Sequence, residues 1–224
     1  MISQGDRILL GVSGGIDSQS LLYVLHEVKR KAPVEFEIIP VHIDPGFEGG
    51  CAGELSAYVR ANFGPLLVEK TDYGIRAHSK ENRSNPCFLC SRLRRKRLFE
   101  LAKEKGCNKI ALGHNKDDLI ETLFINIFYA GKIASMKPRQ SFFDGAIEII
   151  RPLSYVEKKD ITTFSRMVGL TSFENPCPSA GATKRSQIRD MLDMVYKQNK
   201  HIKGNIFRAM ANIVPDYLLE KRHD

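Results

Sequence analysis

The chain has 224 residues, which is enough for one α/β domain with a sizeable core. Its formal net charge of +8 and isoelectric point near 9.3 favour a polyanionic partner such as nucleic acid. The N-terminus lacks an apolar signal region, and no stretch approaches the roughly 20 apolar residues of a membrane span, so we expect a cytoplasmic protein with no membrane partner. Five cysteines, an odd number in a reducing compartment, favour metal binding or redox chemistry over structural disulfides.

The first 25 residues predict a strand, a turn and a helix. The apolar run Ile8–Val12 has strand length, and leucines at helical spacing follow the turn. Adjacent glycines let the backbone approach a ligand, and the free N–H groups at a helix start favour phosphate. Two serines add hydroxyl donors, and an aspartate could hold Mg²⁺ against phosphate oxygens. The predicted ATP-binding residues here are Ser13, Gly14, Gly15, Asp17 and Ser18. The alternative is an ordinary turn whose aspartate compensates the helix dipole.

Strands and helices alternate along the rest of the chain. Apolar runs predict further strands at Phe36–Ile43, Leu66–Val68, Lys109–Gly113 and Ile147–Ile150. Helical periodicity predicts helices at Leu55–Phe63, Ser91–Lys105, Asp117–Tyr129, Glu157–Val168, Ala182–Lys200 and Asn205–Val214. We therefore expect an α/β fold with an open parallel five-stranded sheet, order 3-2-1-4-5, and helices on both faces. Residues 1–224 are interpreted as one domain, in which about 170–224 form a small C-terminal helical cap. The polar stretch Thr71–Pro86 is long for a loop without a function.

Polar residues follow two of these strands, and the predicted strand order brings them to one crevice beside the first turn. His42 and Asp44 lie at the end of the second strand, and Gly113, His114 and Asp118 lie at the end of the fourth. We expect these five to contribute to the ATP site, with Asp118 sharing a magnesium ion with Asp17, and these two carboxylates as the catalytic residues. The alternatives are a carboxylate that favours a helix start and, for His42, a buried histidine at the edge of the site.

Three cysteines form the second candidate site. Cys87 and Cys90 form a C-x-x-C pair that opens a basic helix, and Cys177 lies between two prolines. Such thiols can bind zinc, bind an iron–sulfur cluster or act as a redox dithiol. The strand that precedes a thioredoxin motif and the second C-x-x-C of a zinc site are both lacking, so three thiolates favour a cluster with one iron left open. Cys107 is predicted to lie in the core, and Cys51 is ambiguous.

The basic helix after the C-x-x-C pair is a candidate surface for RNA phosphates, since arginine suits such contacts. Most of its basic residues can stay outside while its leucines face the core. The alternative is a solvated helix face. The candidate RNA-binding residues are Arg92, Arg94, Arg95, Arg97, Lys184 and Arg185.

Several motifs in this order carry a family resemblance. They are the S-G-G-x-D-S turn at Ser13–Ser18, Cys87–Arg95, Ile110–Asp118, Arg151–Leu153 and Asn175–Cys177. Together they resemble the TtcA family, the tRNA 2-thiocytidine synthetases of the PP-loop ATP pyrophosphatase superfamily. The resemblance implies an adenine nucleotide alpha hydrolase-like fold and a 4Fe-4S cluster on Cys87, Cys90 and Cys177. It also implies that ATP adenylates the C2 oxygen of cytidine 32 in tRNA, before sulfur from a cysteine desulfurase or another sulfide donor replaces it.

Some features depart from that family. Ile16 stands where many relatives have lysine, and the flanking extensions common in the family are essentially absent, which leaves the tRNA contacts and the modified nucleotide open. Three other interpretations remain: a lysidine-forming ligase, thiolation of a uridine, and a non-catalytic RNA-binding protein that uses C-x-x-C for zinc. The oligomeric state is also open, a homodimer included.

Overall fold

The computed structural model describes residues 1–83, 85–181 and 183–219. Its strands are Arg7–Gly11 (β1), Glu37–Asp44 (β2), Leu67–Lys70 (β3), Lys109–Ala111 (β4), Arg139–Phe142 (β5) and Ile147–Ile150 (β6). Its α-helices are Ile16–Lys31 (α1), Ala52–Phe63 (α2), Tyr73–Ala77 (α3), Pro86–Glu104 (α4), Lys116–Ala130 (α5), Lys158–Met167 (α6), Lys184–Tyr196 (α7) and Ile202–Ala209 (α8). A short 3-10 helix follows at Pro215–Tyr217.

The strands form one sheet of order β3-β2-β1-β4-β6-β5. The first five strands in this order are parallel, with Leu9 opposite Ile39 on one side and Ile110 on the other. This confirms the predicted α/β fold and its order, since β6 is the predicted fifth strand. The predicted strand count is one too low, because β5 pairs antiparallel with the edge strand β6. The segment Arg139–Phe142 was not predicted as a strand because it is mostly polar and has no apolar run. Its alternating exposure is typical of a half-exposed edge strand.

Helices cover both faces of the sheet, as predicted. On one face, alternate β1 residues such as Leu10 pack with apolar residues of α1, α2 and α6. On the other face, Leu9 packs with Val41, Ile110 and the apolar side of α4. The alternation follows from the two-residue period of a strand. Cys107 is 4 % exposed and belongs to the second cluster, which confirms its prediction as a core residue.

Two local differences from the prediction have simple causes. Helix α4 begins five residues earlier than predicted, because Asn85 caps it by accepting a hydrogen bond from Phe88 N and Pro86 occupies its first position. The C-x-x-C pair therefore lies in the first turns of the helix.

Strand β2 continues through Pro40, and β3 pairs with β2 only from Val41 onward. Pro40 has no N–H to donate, but β3 does not extend to this position, so no hydrogen bond between β2 and β3 is lost.

The described residues divide into two compact units. The first contains residues 1–118 and 137–183, with the sheet and helices α1–α4 and α6. The second contains residues 119–136 and 184–219, and its core is built on Ile120, Ile188 and Leu192. Residue 182, where the penultimate helix was predicted to begin, and residues 220–224 of the predicted cap lie outside the described residues. None of the described helices is both long and apolar enough to cross a membrane.

Candidate active site

Hydrogen bonds within the loop between β1 and α1 fix its shape. The Ser18 hydroxyl accepts a hydrogen bond from Ser13 N at 3.1 Å and donates one to Gly15 O at 2.9 Å. Gly14 has φ +95°, and a Cβ there would lie 2.7 Å from Phe173 O. Only glycine therefore fits this position, and the loop can present its backbone N–H groups at the start of α1.

A pocket of about 230 Å³ lies at the carboxyl ends of β1 and β4. Six of the predicted ATP-site residues line it: Ser13, Asp17, Ser18, Gly113, His114 and Asp118. A Cβ at Gly113 would approach the backbone of Asp17 and Ser18 to 3.0 Å, so glycine lets the end of β4 touch the start of α1. The structure thus brings the two predicted loops together, as expected at a topological switch point.

The two predicted catalytic carboxylates have neighbours that the sequence did not indicate. Asp17 accepts hydrogen bonds from Asn115 Nδ2 at 3.2 Å and from Lys158 Nζ at 2.5 Å. Asp118 and Asn115 form a capping box: Asn115 N donates to Asp118 Oδ2 at 3.0 Å, and Asp118 N donates to Asn115 Oδ1 at 3.1 Å. Asn115 is therefore the N-cap of α5 and also bonds Asp17, while Asp118 completes the capping box and lines the pocket.

A buried arginine orients His114. Arg151 is 3 % exposed, and its Nε donates to His114 Nδ1 at 3.3 Å. Because Nδ1 is an acceptor, a neutral His114 ring carries its proton on Nε2. Burial, followed by the charge of Arg95, lowers the pKa of Arg151 to about 10, so that it remains protonated at neutral pH.

Four other predicted residues do not line this pocket. Gly14 and Gly15 shape the loop behind it. His42 is 1 % exposed, and its Nδ1 donates to Val12 O at 2.8 Å. Burial lowers the pKa of His42, the Val12 carbonyl raises it, the charge of Arg94 lowers it and that of Asp44 raises it. Asp44 accepts a hydrogen bond from Gly46 N at 2.9 Å within a turn.

Arg94 connects the pocket to the cysteines. Its side chain lines the pocket, and it lies one helical turn after Cys90 on the same side of α4. Burial raises the pKa of the Cys90 thiol, Arg94 lowers it, and the charges of Cys177 and Cys87 raise it further. The three cysteines are thus electrostatic neighbours within the first unit, Cys87 exposed and the other two half-buried. Across the described chain, however, no three His, Cys, Asp or Glu side chains are already arranged to hold a metal ion.

The basic residues predicted to bind RNA fall into three environments. Arg92 and Arg95 are exposed, whereas Arg94 lines the pocket. Arg97 pairs with Glu69 at 2.9 Å and Glu104 at 2.6 Å. In the second unit, Lys184 stacks on the Tyr129 ring at 4.0 Å and Arg185 pairs with the buried Glu121 at 3.1 Å. Three of the six therefore have partners within the chain.

Sequence reasoning missed Lys158, Asn115 and Arg151, and it assigned Arg94 to RNA alone. One signal was available: Lys158 and Lys159 occupy the first turn of α6, where a positive charge opposes the helix dipole. Such an unfavourable position indicates a partner, which for Lys158 is Asp17. The bond of Asn115 to Asp17 and that of Arg151 to His114 join distant segments and leave no local pattern.

Comparison with known proteins adds three findings. The family model of the PP-loop domain matches residues 2–195. The tRNA-cytidine(32) 2-sulfurtransferases of Geotalea daltonii and Geobacter sulfurreducens are 40 % and 38 % identical, with 99 % and 98 % of this chain and 89 % and 87 % of theirs covered. Among solved structures, the U34-tRNA thiolase NcsA from Methanococcus maripaludis with its [4Fe-4S] cluster has a similar fold. Its TM-score is 0.79 at 23 % identity, over 98 % of this chain and 75 % of that chain.

Proposed function

This chain belongs to the PP-loop family of ATP-dependent tRNA sulfurtransferases, and we propose that it converts cytidine 32 of tRNA into 2-thiocytidine. The observation that carries the proposal is the position of Arg94, which lines the pocket beside the Ser13–Ser18 loop and lies one helical turn from Cys90 on α4. Nucleotide activation and sulfur transfer must occur at adjacent places, and Arg94 joins the two sets of residues. The identity of about 40 % to curated cytidine-32 enzymes over almost the whole chain supports cytidine as the substrate base.

ATP would bind with its phosphates at the Ser13–Ser18 loop. The N–H groups at the start of α1 offer donors to phosphate oxygens, and the hydroxyl of Ser13, which donates to Ser18 Oγ at 3.2 Å in this structure, would turn toward them. Asp17 and Asp118 would hold a magnesium ion against those oxygens, because Mg²⁺ is commonly bound by one or two carboxylates together with substrate phosphates. Lys158 and Arg94 add positive charge beside the same pocket.

The three cysteines suit an iron–sulfur cluster by their chemistry. Thiolates are the ligands that hold such clusters, and Cys87, Cys90 and Cys177 are electrostatic neighbours. Cys177 lies on a short loop closed by hydrogen bonds from Cys177 N to Asn175 O and from Ala180 N to Cys177 O. A 4Fe-4S cluster bound there would supply a site at which sulfur is presented to the activated base.

The chain's own residues account for the activation step. The C2 oxygen of the pyrimidine attacks the α-phosphorus of ATP, the bond to the β-phosphate oxygen breaks, and pyrophosphate leaves. The loop N–H groups, Arg94 and Lys158 stabilise the charge that develops on the phosphate oxygens. Sulfide then adds at C2, the C2–O bond breaks, and AMP departs with the former base oxygen. AMP is a far better leaving group than oxide, which is why ATP is required.

The test is a reconstituted reaction under anaerobic conditions. Protein, ATP, Mg²⁺, tRNA and sulfide are incubated, and nucleosides from the digested tRNA are analysed by mass spectrometry. We expect 2-thiocytidine with release of AMP and pyrophosphate, no product from Asp17→Asn, and loss of both iron and product in Cys90→Ser. Cys107→Ala, at a core thiol, is the matched control and should keep its iron. A thiouridine product would overturn the cytidine assignment, and AMP release with no thiolated nucleoside would favour a lysidine-type ligase.

A further inference from the structure

A groove of about 620 Å³ runs beside α4, next to the C-x-x-C pair. Three aromatic rings line it, from Phe88, Phe99 and Phe143, together with the basic side chains of Arg92, Arg95 and Lys96. Small-molecule pockets commonly measure about 300–1,000 Å³, so the groove has room for a nucleobase and its sugar. We call it the α4 groove.

Two of the rings face solvent. Phe88 and Phe143 are each 62 % exposed. Phe143 has φ +53° in the turn between β5 and β6, a backbone region that a bulky residue rarely adopts. Its ring contacts that of Phe99 edge to face, with 5.2 Å between centroids. Exposing a phenylalanine and holding it in the left-handed region both cost free energy, which is typical of a functional position.

The charge of the α4 groove is positive. Arg92 and Arg95 are exposed and form no ion pair with any residue that the structure describes. Lys96 lies 3.7 Å from Glu100, whose carboxylate also pairs with Arg97 at 3.4 Å. Among the described residues that line the groove, Glu100 is the one acidic side chain, and Lys96 and Arg97 neutralise its charge. Arg92 and Arg95 can therefore bind an anionic ligand.

Arg95 relates the α4 groove to the pocket residues through its charge. The charge of Arg95 is felt by Arg151, which donates a hydrogen bond to the pocket residue His114. Phe88 lies between Cys87 and Cys90 in sequence, at the start of α4. A nucleotide bound to Phe88 would therefore lie beside the C-x-x-C pair, on the helix that also carries the pocket residue Arg94.

We propose that the α4 groove binds unpaired nucleotides of the RNA substrate, with bases stacked on Phe88 and Phe143 and phosphates on Arg92 and Arg95. This rests on the proposed function and adds to it the form of RNA that is recognised. In a duplex the bases stack on one another and cannot offer a face to a protein ring, whereas an unpaired loop can. Arginines bordering exposed rings are the combination that single-stranded nucleic acid requires.

The test compares two RNAs by fluorescence anisotropy at fixed salt: a labelled anticodon stem-loop and a blunt duplex of the same length. The variants are Phe88→Ala and Phe143→Asn, since asparagine tolerates the left-handed backbone and keeps the turn. We expect each to bind the stem-loop about tenfold more weakly, in the range of one lost base–aromatic stack, with duplex binding little changed. Phe88→Tyr and Phe143→Tyr keep an aromatic ring and should bind the stem-loop as tightly as the wild type. Tyr217→Ala, at an 86 % exposed ring outside the groove, should also bind it with wild-type affinity.

The charges are tested separately. The double variant Arg92→Gln, Arg95→Gln should bind both RNAs more weakly, and its binding should depend less on salt concentration. The aromatic variants should keep the salt dependence of the wild type. Unchanged stem-loop affinity in both aromatic variants, equal losses on stem-loop and duplex, or competition by polyglutamate as strong as by oligouridine would each overturn the proposal. The proposed function is tested by a separate measurement. If the aromatic variants lose stem-loop binding as expected, the groove proposal is supported even when no thiolated nucleoside forms. If thiolation occurs but stem-loop binding is unaltered in these variants, only the groove proposal is overturned.

Discussion

The hydroxyl of Ser179 donates a hydrogen bond of 2.7 Å to Nε2 of His78, across 101 residues of sequence. The direction follows from the other ring nitrogen: Nδ1 lies 2.9 Å from Gly74 O and must donate to it, so Nε2 is the acceptor. The ring also packs against Phe47, at 5.6 Å between centroids. This contact fixes the loop of Cys177, two residues before Ser179, to helix α3.

We expect His78→Ala to loosen the Cys177 loop. A neutral hydrogen bond contributes about 1 kcal/mol, roughly fivefold in an equilibrium constant. Iron should therefore be released about fivefold faster to a chelator from anaerobically purified His78→Ala than from wild type, with ATP affinity unchanged. His201→Ala, an exposed histidine on the second unit, is the control. Equal iron retention in His78→Ala and wild type would show that the contact does not position Cys177.

The ion pair between Lys158 and Asp17 leads to a second prediction. With the Lys158 ammonium 2.5 Å from a pocket carboxylate, the charge lies where triphosphate would bind. Lys158→Met should weaken ATP binding about tenfold, in line with the loss of one charged hydrogen bond. Lys159→Met is a matched control, because the Lys159 side chain is 73 % exposed and its ammonium pairs with Glu157, not with Asp17. Calorimetric titration with MgATP measures both, and similar affinities for the two variants would exclude Lys158 from the site.

A third prediction concerns the close approach at Gly113. The added methyl group of Gly113→Ala would lie 3.0 Å from the backbone of Asp17 and Ser18 and push the PP-loop away from β4. Overpacking of this kind costs about 1–3 kcal/mol, and here the strain falls on the nucleotide site. We expect weaker ATP binding and a lower melting temperature. Gly53→Ala, on α2 with open space for the added methyl group, should leave ATP affinity unchanged and should not lower the melting temperature. Wild-type affinity in Gly113→Ala would mean that the loop has room to move.

The sequence predicts those parts of this protein that depend on local pattern. Apolar runs located the parallel strands, and the S-G-G-x-D-S turn located the loop whose Ser13, Asp17 and Ser18 line the pocket. Contacts between distant segments carry no such pattern. Lys158 contacts Asp17 across 141 residues of sequence. His42 points inward to the Val12 carbonyl, although its position near the end of a strand was equally consistent with a place in the ATP site. Arg94 and Arg97 look alike in sequence, but the carboxylates of Glu69 and Glu104 engage only Arg97.

The buried His42 gives a prediction for stability against pH. Burial, the largest cause, and the Arg94 charge lower its pKa, although the Val12 carbonyl and Asp44 partly oppose them. Below about pH 6.5 the unfolded chain takes up a proton that folded His42 does not, so the free energy of unfolding should fall as pH decreases through this range. His42→Asn keeps an N–H for the Val12 carbonyl and should flatten the slope between about pH 6.5 and 5 in urea titrations. His26→Asn should remove a further part, because burial and Lys29 lower the pKa of His26 too. An unchanged slope in both variants would mean that neither imidazole is held neutral by the fold.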